Sequence, residues 1–206
     1  MYEHASEVRV FERDLGRVAR RVSEGLDDLP AAQADPLNGI EIVLGRGRAD
    51  ADLIIAKIRA MRKNGGLVGV DYETNALRPY GNGAKILTVA LSTDAGTLAF
   101  PLGHRGARWS ESDRASVTDA YVEFVKDKRV DKVAHHAGFE SEWTIAMFGI
   151  KSLLVPWHDT MAQAYCLDER TGTLSLDALC AIHFGFFLKR LSKVDLTDLE
   201  SEQIQN

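Results

Sequence analysis

Two periods of apolar residues alternate along the chain. Short runs that are apolar throughout or at every second position predict β-strands, and apolar spacings of three and four residues predict helices. Strands are predicted near residues 40–44, 67–74, 86–91, 97–101, 130–134 and 153–155. Helices are predicted near residues 4–26, 50–63, 110–126, 136–148, 160–167 and 176–184. Strands and helices that alternate in this way predict an α/β protein.

The connections between the predicted strands indicate how the sheet is built. The strand at 67–74 and the two strands after it have short connections, including the turn Asp94–Gly96, which predicts three antiparallel strands. The strand at 130–134 follows a helix of about 16 residues, and a right-handed crossover then makes it parallel to its neighbour. With the strand at 153–155, the expected sheet has three antiparallel and two parallel strands flanked by helices.

The first 39 residues are predicted to form a separate appendage. Residues 4–26 have the apolar spacing of an amphipathic helix, with several arginines on the other face. Residues 27–39 contain two prolines and a glycine and have no apolar period, which is typical of a linker. We therefore expect a helix and linker at 1–39 and one larger domain at 40–206.

Composition narrows the class of protein. The chain has 206 residues, of which 45% are hydrophobic, so it can bury a full core. Its formal net charge of −5 argues against a protein that holds nucleic acid by a general positive field. No apolar run approaches 18 residues, and no secretory pattern opens the chain, so we expect a cytoplasmic protein without a membrane partner.

Acidic residues follow two of the predicted strands. Asp71 and Glu73 lie two apart at the end of the buried run Leu67–Val70, so their side chains point to the same face, about 6–7 Å apart along the strand. Glu140 follows the strand at 130–134, and His136, four residues before it, is expected on the same face of the next helix. Carboxylates that converge at strand ends without basic neighbours predict a site for a hard cation, Mg²⁺ or Mn²⁺.

The order of the motifs is characteristic. Val70–Leu77 and Ala134–Glu140 contain the acids, and His158–Met161 and Ser175–Leu179 follow them. In this order and spacing the four segments resemble the 3′–5′ exonuclease domain of family A, polymerase I-like DNA polymerases, particularly the phage versions. The resemblance covers about residues 40–206 and implies a ribonuclease H-like fold of the DEDD exonuclease superfamily.

The resemblance implies a role for each matched residue. Asp71 and Glu73 would hold two metal ions, with Asp71 bridging them, and Glu140 stands where the family usually has Asp. Thr74 and Leu77 would contact and wedge the terminal nucleotide. Two further matched positions belong to the implied substrate site, namely His136 in place of the usual Asn, and Phe139, an aromatic position expected to pack in the core.

The third motif of the family, Tyr-x-x-x-Asp, is expected at or beyond residue 206. Tyr165 and Glu169 have a similar spacing but come too early in the chain. Asp195 and Asp198 lack a tyrosine at the right offset and are interpreted as solvated acids. We therefore expect a domain truncated before its third motif, as in a fragment of a longer polymerase, half of a split gene or a shortened relative.

The implied function is a two-metal exonuclease that proofreads DNA, with a site that the missing third motif leaves incomplete in this fragment. It would remove nucleotides as 5′-monophosphates from a single-stranded or frayed 3′ end, with a polymerase domain in cis or in trans, in the host cytoplasm if phage-encoded. Two alternatives remain open: an inactive scaffold of the same fold, and a ribonuclease D-like RNA exonuclease. Basic residues that could steer the strand are Arg105, Arg108, Lys126, Lys128, Arg129 and Lys132.

Overall fold

A computed structural model describes residues 40–150, 157–169, 172–185 and 188. Its strands are β1 (Ile42–Leu44), β2 (Gly66–Thr74), β3 (Ile86–Thr93), β4 (Gly96–Pro101), β5 (Val130–Ala134) and β6 (His158–Asp159). Its helices are α1 (Ala51–Asn64), α2 (Glu111–Lys126), α3 (Ala137–Phe148), α4 (Thr160–Leu167) and α5 (Leu176–Phe184). The predicted helix at 4–26, the linker, the strand at 153–155 and both late aspartates lie outside the described residues.

The strands form a mixed sheet in the order β1-β4-β3-β2-β5-β6. β3 is antiparallel to both of its neighbours, β2 and β4, and β5 is parallel to β2. These pairings confirm the predicted mixed α/β architecture. Two strands complete the six: β1, parallel to β4, and the two-residue β6, parallel to β5, which was not among the predicted strands.

The two faces of the sheet carry different side chains. Val68, Val70 and Tyr72 on β2 are buried, and the residues between them are not, so the strand alternates as its sequence indicates. The buried face continues through the neighbouring strands and packs against α1, α2 and α3. Asp71 and Glu73 therefore lie on the face opposite these helices.

The chain divides into two compact units. The sheet and the helices up to Thr160 belong to the unit Gln33–Thr160, whereas the rest of α4 and all of α5 belong to the other. α5 begins as the sequence predicts, since the Ser175 hydroxyl accepts a hydrogen bond from the Ala178 N–H. None of the helices in the described ranges has the length and apolarity needed to span a bilayer.

Candidate active site

Asp71 and Glu73 lie near the C-terminal end of β2. Asp71 lies opposite Ala90 and Glu73 opposite Thr88 on β3, so small or uncharged residues surround both acids. Partial burial raises the pKa of both carboxyl groups, and the charge of Asp71 raises that of Glu73 further. The predicted pairing on one face is confirmed.

Glu140 is brought to the same end of the sheet by α3. The residue is 4% exposed, and its Oε2 has no hydrogen-bond partner within the described part of the chain. Burial, followed by the charges of Asp71 and Asp159, raises the pKa of Glu140 to about 7. The charge of Asp71 thus acts on both Glu73 and Glu140.

A buried hydrogen-bond network lies beneath the acids. The Tyr72 hydroxyl is 2.5 Å from the Tyr121 hydroxyl on α2 and 2.7 Å from the Thr144 hydroxyl on α3. All three side chains are buried. Burial raises the pKa of both tyrosines, and the charge of Glu140 adds to this effect. Because Tyr72 stands between the two β2 acids and Thr144 lies one turn after Glu140, the network fixes α3 relative to β2.

The sequence did not single out Asp159 for the site. Ala134 pairs with Asp159 across β5 and β6, and the Asp159 Oδ1 accepts a hydrogen bond of 3.1 Å from the His136 N–H. Asp159 thus holds the start of α3. An acid before a helix predicts a cap for that helix, whereas only the pairing of β5 with β6 shows that Asp159 reaches the start of α3.

The predicted arrangement of His136 is wrong. The residue precedes α3 and has left-handed backbone angles, φ 67° and ψ 51°, so the helical four-residue rule does not place its side chain beside Glu140. His136 is exposed at the end of β5. The asparagine usual in the family tolerates the left-handed region better than most residues, which gives a backbone reason for that preference.

Two of the predicted substrate contacts lie at the end of β2 and in the loop that follows it. Asn75 spans the loop, since its amide donates to the Gly83 carbonyl and accepts from the Lys85 N–H. The hydroxyl of Thr74, the last residue of β2, donates to the Ala76 carbonyl, and Leu77 in the loop is 86% exposed. The structure thus presents Leu77 to solvent from a fixed loop.

Phe139 packs as expected from its sequence position. It is partly buried against the core, and its ring centroid lies 6.1 Å from that of Trp143. This arrangement leaves the ring engaged with α3 rather than projecting from it.

The donor set fits a divalent cation. The charge of Asp71 acts on Glu73 and Glu140, that of Asp159 acts on Glu140, and one buried oxygen of Glu140 lacks a partner within the described ranges. A hard cation would satisfy that oxygen and offset the repulsion between these charges. Across residues 40–150, 157–169 and 172–185, no three acidic, histidine or cysteine side chains stand close enough to hold one ion.

Two of the predicted strand-steering residues are engaged elsewhere. Arg129 pairs with Asp127 at 2.7 Å, and Lys132 is fully buried on β5 and donates to the Asp127 carbonyl. Both lie near the start of β5, at the edge opposite the acids. By contrast, Gly103–Arg108 forms an anchored turn at the same edge as the acids, because the Gly103 and His104 N–H groups donate hydrogen bonds to β3.

Comparison with known proteins agrees with this arrangement. A family model described as 3′–5′ exonuclease matches residues 49–201. None of the curated proteins matches the sequence. Among solved structures, RNase D from Escherichia coli, described as an exoribonuclease involved in structured RNA processing, is 16% identical with a TM-score of 0.52, over 76% of this chain and 36% of its own.

Two further structures have the same fold. The catalytic core of RRP6 from Trypanosoma brucei is 17% identical with a TM-score of 0.55, over 84% of this chain and 43% of its own. The Nibbler EXO domain from Aedes aegypti is 12% identical with a TM-score of 0.55, over 86% and 80%. The chain therefore spans about a third of RNase D and less than half of the RRP6 core.

The family match covers more than half of the chain, and the mixed sheet agrees with the fold of these structures. The resemblance inferred from the four motifs is thus confirmed at the level of family and fold. The chain belongs to the 3′–5′ exonuclease family and has a DEDD-type domain of ribonuclease H-like fold.

Proposed function

We propose that this domain is a metal-dependent 3′–5′ exonuclease that removes 3′-terminal nucleotides from DNA and serves a polymerase in proofreading. The observation that carries the proposal is the group of carboxylates Asp71, Glu73 and Glu140 at one edge of an exonuclease fold, with a buried Glu140 oxygen left without a partner within the described residues. The same edge presents Leu77, the proposed wedge for the terminal nucleotide.

Each residue of the site has a separate task. Asp71, Glu73 and Glu140 would hold Mg²⁺ or Mn²⁺, which lowers the pKa of an attacking water and neutralises charge at the scissile phosphate. Tyr72, buried between the first two, fixes the backbone from which they project. Asp159 positions α3 and, with it, Glu140.

The reaction is hydrolysis of the terminal phosphodiester. The water oxygen bonds to phosphorus, and the bond from phosphorus to the preceding 3′ oxygen breaks. That oxygen gains a proton and becomes the new 3′ hydroxyl, while the terminal residue leaves as a nucleoside 5′-monophosphate. Thr74, Leu77 and His136 would hold the departing nucleotide in line with the water, and Phe139 would support that site from within α3.

RNA is the second candidate substrate. RNase D is described as an exoribonuclease, and its fold is shared. Thr74 and Leu77, the matched contacts for the terminal nucleotide, carry no feature that distinguishes ribose from deoxyribose. DNA is favoured because the family-type motifs of this chain resemble those of polymerase exonucleases.

A comparison of matched oligonucleotides separates these two substrates. DNA and RNA strands of one sequence differ only in the 2′-OH and the thymine methyl group, so relative kcat/KM reports the sugar preference directly. We expect faster removal from DNA than from RNA, and faster removal of a mispaired than of a paired 3′ end on duplex DNA. A preference for RNA, or equal rates on paired and mispaired ends, would contradict the proofreading proposal.

A further inference from the structure

A groove of about 460 Å³ lies at the same edge of the sheet as the carboxylates. β3 begins and β4 ends at the edge where β2 ends, because Thr74 pairs with Ile86 and Thr88 pairs with Pro101 in antiparallel register. The segment that leaves β4 therefore crosses this edge before α2 begins. It forms the groove together with the first turn of α2.

The groove is cationic in an acidic chain. Arg105, Arg108 and Arg114 line it, against a single carboxylate, Glu111. Arg108 and Arg114 are exposed and have no ion-pair or hydrogen-bond partner for their guanidinium groups in the part of the chain that the structure describes. An adjoining groove of about 480 Å³ shares Glu111 and Arg114 and adds Lys85 and Asp119.

Lys85 connects this surface to the site. It is the last residue of the loop that presents Leu77, and its backbone N–H is held by the Asn75 side chain. Cationic side chains thus extend from the loop beside the carboxylates to the end of the groove, in the order Lys85, Arg114 and Arg108.

The backbone of the groove is fixed before any ligand arrives. The Gly103 N–H donates to the Ile86 carbonyl at 2.9 Å, and a Cβ at Gly103 would meet that oxygen at 2.5 Å, so only glycine fits. The His104 N–H bonds to Leu87, and Ala107 is buried. On binding, the side chains of Arg108 and Arg114 lose freedom but the backbone of the groove does not, which reduces the entropic cost.

Trp109 supplies an aromatic side chain to the lining of the groove. It lies between Arg108 and the start of α2, is partly buried against the core and lines the groove. A cationic groove with an aromatic side chain is the combination that holds single-stranded nucleic acid, because guanidinium groups contact phosphates and bases stack on rings. An acidic polypeptide would use the charges but not the ring.

We propose that this groove binds the phosphodiester backbone of a single strand upstream of its 3′-terminal nucleotide. The proposal rests on the exonuclease function proposed above and extends it from the terminal nucleotide to the strand behind it. The strand passes from the carboxylates over the end of the sheet and across Lys85 to the face covered by helices, where it lies in the groove against Arg114, Arg108 and Trp109.

Binding of labelled oligothymidylate to the full chain tests the proposal. We use 5′-fluorescein dT12 and dT2 in EDTA, which prevents cleavage, and measure Kd by fluorescence anisotropy between 50 and 300 mM salt. The variant is Arg108→Glu with Arg114→Glu. The control is Arg59→Glu with Lys63→Glu, which removes the same charge from exposed positions on α1 away from the groove.

We expect the groove variant to bind dT12 at least tenfold more weakly than the control, with dT2 affinity changed less than twofold. The salt slope for dT12 should fall by about 1.4, since each phosphate contact to a single strand contributes about 0.7. Equal dT12 affinity and slope in variant and control would overturn the proposal. Competition by polyglutamate as strong as that by unlabelled dT12 would also overturn it, because a general anion surface does not need bases.

The failure of this proposal differs from a failure of the exonuclease function. If the groove proposal alone fails, Mn²⁺-dependent shortening of dT12 remains and is equal in variant and control. If the exonuclease function fails, neither protein shortens dT12 with Mn²⁺, whatever the anisotropy shows.

Discussion

The ionisation of Glu140 in the absence of metal opposes folding. Its pKa of about 7 in the folded chain lies above the ordinary value of 4.5, so the folded state holds the proton more tightly than the unfolded state does. The stabilising effect of the protonated form is complete below about pH 4.5 and is lost as the pH rises through 7. A shift of this size corresponds to at most about 3 kcal/mol.

Substitution of this one carboxyl group should therefore change how stability depends on pH. In EDTA at pH 8, Glu140→Gln is expected to raise the free energy of unfolding by up to about 3 kcal/mol, and at pH 4.5 the two proteins should be equally stable. Urea unfolding at both pH values measures the difference. Asp119→Asn, an exposed carboxylate on α2, should show no such change; an equal gain in both variants would contradict the account.

At the scale of elements, the start of α3 depends on a side chain from β6. Asp159→Asn keeps an oxygen to accept the His136 N–H, whereas Asp159→Ala does not, and both remove the charge near Glu140. We expect the free energy of unfolding of Asp159→Ala to be about 1 kcal/mol lower than that of Asp159→Asn, as for the loss of a helix cap. Its kcat should also be the lower of the two.

Urea unfolding in EDTA and cleavage of labelled DNA measure these two effects. The pair of variants separates hydrogen bonding by this side chain from its charge, since their charge is the same. Equal stability and equal kcat in Asp159→Asn and Asp159→Ala would show that the bond to His136 does not position α3.

The strands and the first two acids could be predicted because they depend on local pattern. Val68, Val70 and Tyr72 alternate with Asp71 and Glu73, so the sequence itself separates the buried face from the acidic one. The arrangement of His136 and Asp159 could not be predicted in this way. It depends on a left-handed residue and on a two-residue strand, and both are determined by tertiary contacts rather than by period.

At the scale of the whole molecule, charge is distributed unevenly. The net charge of −5 excludes a general attraction for nucleic acid, but composition does not show where the cations lie. Lys132 was indistinguishable in the sequence from Arg108, yet one is buried in the core and the other lines the groove. Only the fold separates cations that can meet a phosphate from those that hold the protein together.

The central claim is that the carboxylates of β2 and α3 act together with a divalent cation on a 3′ end. The most direct test is digestion of 5′-labelled single-stranded DNA with Mg²⁺ or Mn²⁺ by the wild-type chain, Asp71→Asn, and Asp131→Asn, an exposed aspartate on β5 at the other edge. We expect a ladder of fragments shortened from the 3′ end with the wild type and Asp131→Asn, and at least a hundredfold slower cleavage with Asp71→Asn. A ladder that persists in Asp71→Asn, or cleavage that continues in EDTA, would contradict this account.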